Sequence, residues 1–283
     1  MASGESMNIP RDQWWRDLRR PTPAGARAAP SLMAGLLLSW LVATPPAFAD
    51  SARQIELRVA AGVEVPVTVR AAAGGILVLW LPSEAGQAEG EARVAAGLAA
   101  RGIEAWRADL LSARLLPALR SAMHEIPAGD VAALIEQAAG RSGKRVVLVS
   151  AGLGAGPLLR GALVWRARHA RSDALLGAVL LHPNLYLGTP EPGKDAQYLP
   201  EAARSDLGVV ILQPDRSPLH WYVDRLAAEL ERGGGRVTVE RLAGVRDRFH
   251  FRPDASAAET ALAAELPARI AAAIERLETG RKP

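Results

Sequence analysis

The first regular feature of the chain is an alternation of apolar and polar residues with a period of two. It covers residues 54–59 and 63–70 and predicts two half-buried β-strands, joined by an Ala-Ala-Gly turn as a hairpin. Further apolar segments predict more strands, and continuous runs such as residues 75–81 are typical of strands buried on both faces. These segments are residues 75–81, 103–109, 145–150, 177–181, 207–213 and 236–242.

Segments with the helical spacing of apolar residues lie between these strands. Residues 130–139 are predicted to form a helix that starts from an Asp130 cap and ends at Gly140. The other predicted helices are residues 89–100, 157–169, 219–232 and 256–277. Strands alternating with helices predict an α/β protein, with a leading β-hairpin and a mainly parallel central sheet that carries helices on both faces.

The longest irregular stretch is residues 182–206, which contains several prolines and glycines. It follows a predicted buried strand directly. Long loops at the carboxyl ends of strands commonly carry function, so this one is expected to form a lid or a pocket wall.

Residues 1–49 differ from the rest and predict a secretory signal peptide. Several arginines precede an apolar run at residues 32–42, and Ala47-Phe48-Ala49 forms an A-x-A cleavage site. The run is shorter than the ~20 residues that a membrane-spanning helix needs. We therefore expect cleavage after Ala49, a single domain over residues 50–283, and a bacterial periplasmic location. An uncleaved membrane anchor is the alternative, and translation starts at Met1 or Met7.

The amino-acid composition excludes several kinds of catalytic chemistry and makes some binding partners unexpected. The chain has 283 residues, a net charge of +4, 5% aromatic residues and no cysteine. Zero cysteine excludes disulfides, thiolate nucleophiles, Fe–S clusters and cysteine zinc sites. Basic and aromatic residues are not interleaved, so no nucleic-acid partner is expected. The five histidines have no metal-ligand spacing and no nucleotide-binding loop is present, so we expect no metal and no cofactor.

Chemistry is expected where buried strands end, because open α/β sheets bind ligands at the carboxyl ends of their strands. Residues 149–156 read Val-Ser-Ala-Gly-Leu-Gly-Ala-Gly, a strand running into a tight turn of small residues. This segment resembles the nucleophile elbow, G-x-S-x-G, of the α/β-hydrolase superfamily, and the strand order extends the resemblance over about residues 54–277. The nucleophile position holds Gly152, followed by Leu153, and glycine has no atom that can attack a carbonyl. We expect a positive φ at Gly152.

The same resemblance assigns the other catalytic positions. The turn after residues 207–213 should carry the acid, and there Ser217 precedes Pro218. The turn after residues 236–242 should carry the histidine, where the chain has Asp247. The loop containing Ser83 lacks the H-G-G-type run that often forms an oxyanion hole, although backbone donors can serve instead.

Two main functional interpretations remain open. In the first, the protein is a periplasmic α/β-hydrolase-like protein without standard serine-hydrolase catalysis, and it binds a small molecule or a periplasmic protein at the former active-site face. In the second, it hydrolyses ester or acyl substrates with a displaced constellation of Ser150, Asp215 and His250. An unrelated α/β binding protein is a third possibility. The membrane is a partner only through an uncleaved amino-terminal segment.

Overall fold

The computed structural model describes residues 52–170, 172–191 and 193–280. The predicted signal peptide, residues 1–49, lies outside these described residues, and so does its cleavage site. Within the described ranges, no helix is both long enough and apolar enough to cross a membrane.

Within the described residues, eight strands, numbered in chain order, form one sheet in the order β1-β2-β4-β3-β5-β6-β7-β8. The first two strands are the predicted hairpin, and β2 also pairs antiparallel with β4, whereas every pair from β4 to β8 is parallel. The prediction of a mainly parallel sheet with a leading hairpin is therefore confirmed. The strands are β1 Arg53–Ala60, β2 Val63–Arg70, β3 Ile76–Trp80, β4 Glu104–Ala108, β5 Arg145–Ala151, β6 Leu175–Leu181, β7 Val209–Pro214 and β8 Val237–Leu242.

Helices cover both faces of this sheet, as predicted. In β3, Leu77 and Leu79 face one core layer, while Val78 and Trp80 face the other. The first layer contains α4, α5 and α6, and the second contains α1 and α7. Burial on both faces explains the continuous apolar runs in the central strands. The helices are α1 Glu89–Ala99, α2 Leu110–Ala113, α3 Ala122–Glu125, α4 Ala128–Ser142, α5 Ala155–Arg168, α6 Val223–Glu231 and α7 Ala257–Thr279.

The predicted cap of α4 is wrong. The helix starts two residues before Asp130, after Pro127, and it ends at Gly143 in the left-handed conformation (φ +64°) rather than at Gly140. The Asp130 carboxylate instead accepts hydrogen bonds from Nε and Nη2 of Arg114, both at 2.6 Å. The Asp130 side chain was predicted to cap the helix, but it binds Arg114, 16 residues earlier in the chain.

Candidate functional site

The turn between β5 and α5 is a tight strand-to-helix elbow. Gly152 follows the last residue of β5, has φ +53°, and begins a single 3-10 turn that leads into α5. The positive φ expected at this residue is therefore confirmed. Gly154 has no room for a side chain, because an added Cβ would overlap Ser150 Oγ and the carbonyl oxygen of Pro82. The small residues at the elbow let the loop that follows β3, which contains Pro82, approach the turn closely.

A carboxylate from that loop fills the space beside Gly152. Glu84 Oε2 accepts a hydrogen bond from the Leu153 N–H at 2.9 Å, and Glu84 Oε1 accepts one from Arg248 Nη2 at 2.6 Å. A Cβ added to Gly152 would lie 2.7 Å from Glu84 Oε2. Any side chain at position 152 must therefore displace the Glu84 carboxylate.

The environment of Glu84 keeps this carboxylate ionised. Burial alone would raise the pKa of Glu84, but the Arg248 hydrogen bond and the backbone N–H groups of Glu84 and Leu153 together lower it. The Glu84 side chain is 9% exposed, whereas that of Arg248 is 42% exposed. The ion pair thus has a buried anion and a cation that remains accessible to solvent.

The backbone of the loop that carries Glu84 is held by hydrogen bonds of its own. Ser83 Oγ accepts from the Ala85 N–H at 3.2 Å, and the Ser83 carbonyl accepts from the Gly86 N–H at 3.0 Å. Gln87 Nε2 donates to the carbonyl of Ala108 at 3.1 Å. Ser83, predicted for the pocket, therefore shapes the turn that directs Glu84 towards the elbow.

Ser217 and Asp247, the residues that the resemblance places at the acid and base positions, are in contact. Ser217 Oγ donates to Asp247 Oδ2 at 3.1 Å, and it also accepts from the Leu219 N–H at 3.1 Å. Asp247 Oδ1 is buried and has no hydrogen-bond partner among the described residues. The structure thus brings the two turns together as the resemblance implies, with a hydroxyl and a carboxyl group as the contacting side chains.

The site also contains His182, which sequence reasoning did not single out. It is the first residue after β6, is 4% exposed, and has a positive φ of 38°. Its Nε2 accepts a hydrogen bond from the Arg248 N–H at 3.3 Å. Burial lowers the pKa of His182, and the charges of Asp247 and Glu84 oppose only part of that effect. Its position directly after a buried strand was the available sequence signal.

The structure does not join Ser150, Asp215 and His250 by hydrogen bonds. Ser150 is fully buried, and its Oγ donates to the carbonyl of Leu81 at 3.1 Å. Asp215 Oδ1 accepts from the Gly244 N–H at 2.8 Å. Both ring nitrogens of His250 lack a hydrogen-bond partner among the described residues, and burial lowers its pKa to about 3. Each of the three side chains therefore has separate surroundings.

A cavity of about 180 Å³ adjoins the elbow. Leu153 lines it, and the N–H of Asn184, another lining residue, donates to the Gly152 carbonyl at 2.9 Å. Residues 184 and 186–190 form one wall, so the prediction that the 182–206 loop forms a pocket wall is confirmed. A larger cavity of about 440 Å³, lined by Arg166, Arg236 and Arg276 among others, shares no residue with the elbow.

The polar groups at the elbow suit an anion better than a metal ion. Within the described ranges, no group of three His, Asp or Glu side chains is placed to hold a metal. The Glu84 carboxylate is already bound by the Arg248 guanidinium and a backbone N–H. These two donors are the kind that recognise carboxylates and oxyanions in proteins.

Comparison with known proteins agrees with this architecture. No protein-family model and no curated protein sequence matches the chain. Several solved structures share its fold. The chain has the fold of the α/β-hydrolase superfamily. An esterase from Pyrobaculum calidifontis is 16% identical, with a TM-score of 0.62 over 81% of this chain and 86% of the esterase.

Two further structures with the α/β-hydrolase fold show the same degree of likeness. A hormone-sensitive lipase from a metagenome library is 16% identical, with a TM-score of 0.58 over 80% of this chain and 87% of the lipase. Esterase 2 of Thermogutta terrifontis is 14% identical, with a TM-score of 0.54 over 78% of this chain and 94% of the esterase. At these identities the likeness is one of fold, and the resemblance inferred from the elbow is confirmed at that level.

Proposed function

We propose that this protein is a non-catalytic member of the α/β-hydrolase fold that acts in the periplasm. It binds a small molecule or a periplasmic protein at the face where hydrolases of this fold carry out catalysis. One observation carries the proposal: the Glu84 carboxylate lies against Gly152 and accepts the Leu153 N–H. An anion held within the chain thus occupies the elbow where a nucleophile and an oxyanion would meet.

Acyl transfer needs a nucleophile, and it needs donors that are free to stabilise a developing negative charge. In the nucleophile elbow, the N–H of the residue after the nucleophile is one of those donors. Here that N–H belongs to Leu153 and is bound to Glu84. A second negative charge at the same place would be repelled, so this arrangement disfavours an oxyanion intermediate.

The acid and base positions support the same proposal. A histidine is an effective general base because its pKa lies near neutrality. The contact between Ser217 Oγ and Asp247 Oδ2 contains no imidazole. His182 lies nearby, but its Nε2 already accepts the Arg248 N–H. These contacts offer no imidazole placed as a general base, which favours binding over catalysis.

A second candidate function is hydrolysis of ester or acyl substrates. The solved structures that share the fold favour it, because their names describe esterases and a lipase. In this candidate, Ser150 would attack the substrate, His250 would accept the proton, and Asp215 would orient the histidine. Ser150 and His250 would have to leave their buried positions for this constellation to form.

Turnover of short-chain p-nitrophenyl esters tests both candidates. The assay uses protein purified from cells that express the full chain, beside Ser150→Ala, His250→Ala and the control Ser112→Ala, whose serine contacts Asp109 far along the chain from the elbow. No turnover in any sample is expected. Turnover that is lost in both Ser150→Ala and His250→Ala, but kept in Ser112→Ala, would establish the second candidate and contradict the non-catalytic proposal.

A further inference from the structure

The Glu84 carboxylate is held at the elbow by two donors from distant parts of the chain. One is the N–H of Leu153, 69 residues further on, and the other is the guanidinium of Arg248, 164 residues further on. We infer that these donors form a binding site for a small carboxylate ligand, and that Glu84 is its built-in competitor. This inference rests on the proposed binding function and names its ligand class.

The geometry of the two donors supports this ligand class. The distances of 2.9 and 2.6 Å place both carboxylate oxygens in hydrogen bonds, one to each donor. Charge-assisted hydrogen bonds of this kind are short and about twice as strong as neutral ones. The Arg248 side chain is 42% exposed, so this donor lies at the surface, whereas the Glu84 side chain is 9% exposed. A ligand carboxylate can therefore take the place of the Glu84 carboxylate on the same two donors.

A cavity adjoins the two donors at Leu153 and is the nearest space for the rest of the ligand. Leu153 links the two parts, because its N–H binds Glu84 and the residue also lines the cavity. The volume of about 180 Å³ is well below the ~300–1,000 Å³ of drug-sized pockets, which favours a small molecule. Leu153, Tyr186, Leu187 and Leu219 provide apolar surface around it, and Arg120 and His124 are among the polar residues that line the rest. We therefore assign the site to a short aliphatic carboxylate.

The loop that carries Glu84 is held by hydrogen bonds that do not involve the Glu84 carboxylate. The loop backbone keeps its hydrogen bonds through Ser83, and Gln87 anchors it to the carbonyl of Ala108. A tethered group competes at an effective concentration of millimolar or more. Removing the Glu84 carboxylate should therefore free both donors and tighten ligand binding by about tenfold or more.

Titration calorimetry with hexanoate tests this site, and hexanamide serves as the uncharged probe. The protein purified from cells expressing the full chain is compared with Glu84→Ala, Arg248→Ala and the double variant. Two controls remove the same charges elsewhere: Glu89→Ala at the exposed start of α1, and Arg241→Ala, whose partner is Asp224.

We expect Glu84→Ala to bind hexanoate about tenfold more tightly than the wild type, and hexanamide no more tightly. Adding Arg248→Ala to Glu84→Ala should remove that gain, while both controls stay within twofold of the wild type. Thermal melting of each variant separates loss of binding from loss of folding.

Equal binding of hexanoate and hexanamide overturns the inference. So does a Glu84→Ala variant that gains no affinity for hexanoate. Failure of the proposed non-catalytic function would be detected separately, as turnover of esters. A protein that hydrolyses no esters but fails this titration contradicts the inference alone. A protein that hydrolyses esters but gives the expected titration contradicts the non-catalytic proposal alone.

Discussion

At the scale of single residues, Gly152 is restricted in two ways that have different physical origins. Its φ of +53° lies in the left-handed region, where a Cβ costs roughly 1–2 kcal/mol. A Cβ there would also lie 2.7 Å from Glu84 Oε2, closer than the two atoms can pack. The first restriction belongs to the backbone of the elbow, and the second belongs to the Glu84 carboxylate.

Replacing Gly152 with alanine should therefore destabilise the protein by about 2 kcal/mol or more, and part of that loss should disappear when Glu84 is alanine as well. Urea denaturation of the two single variants and the double variant measures this coupling. Gly140→Ala is the matched control, because Gly140 lies inside α4 with nothing within 4 Å of an added Cβ. That control should be neutral or stabilise by up to ~1 kcal/mol. Strictly additive losses would contradict the contact with Glu84.

A second residue with an unusual environment is Glu91, in the first turn of α1. It is 1% exposed, and neither carboxyl oxygen makes a well-formed hydrogen bond among the described residues. Burial raises the pKa of Glu91 to about 7, against the opposing effects of the Arg107 charge, the Ala88 N–H and the Trp80 indole. The folded protein therefore holds a proton on Glu91 at pH values where the unfolded chain has released it.

This proton makes the stability of the protein depend on pH. Because the folded pKa is the higher one, the contribution of Glu91 is fully present below the unfolded pKa and is lost as the pH rises to about 7. In Glu91→Gln the side chain is an amide that does not ionise, so this variant does not lose stability through position 91 as the pH rises. Relative to the wild type, it should gain about 2–3 kcal/mol in unfolding free energy between pH 5 and pH 8. Urea denaturation at both pH values measures the gain, and the exposed Glu89→Gln should show none.

At the scale of secondary-structure elements, the starts of two helices show when the local sequence is sufficient to predict a helix boundary. Ser256 caps α7, its Oγ accepting the Glu259 N–H at 3.2 Å while Glu259 Oε2 accepts the Ser256 N–H at 2.9 Å. Both partners lie within four residues, so the pattern predicts this start correctly. The start of α4 was misplaced because Asp130 pairs with Arg114, a contact that no local pattern contains.

The reciprocal hydrogen bonds between Ser256 and Glu259, a capping box, allow the contribution of this cap to stability to be measured. Ser256→Ala removes the acceptor for the Glu259 N–H, and we expect it to lower the unfolding free energy by about 1 kcal/mol. Ser121→Ala is the control, because Ser121 precedes α3 without a side-chain capping hydrogen bond. Thermal or urea denaturation compares the two variants. An equal effect at both serines would show that the α7 hydrogen bond contributes little.

At the scale of the whole molecule, the sheet was predictable, but only part of the site was. Alternation in the hairpin and continuous apolar runs elsewhere predicted the mainly parallel sheet, because burial on one or two faces selects those patterns. Gly152, Ser217 and Asp247 were placed by the resemblance, and the structure brings the last two into contact. Glu84 and Arg248 were not predicted as a pair, because 164 residues separate them and only the folded sheet joins them.

Export of the protein is the last prediction, and it concerns the whole chain. In the part of the chain that the structure describes, the first strand begins at Arg53, so cleavage after Ala49 would remove none of the eight described strands. We expect amino-terminal sequencing of protein from the periplasmic fraction to begin at Asp50. Ala49→Lys should block this processing, because signal cleavage sites require small residues, whereas Ala61→Lys in the exposed hairpin turn should not affect it. Recovery of the intact wild-type chain from the membrane would instead support an uncleaved anchor.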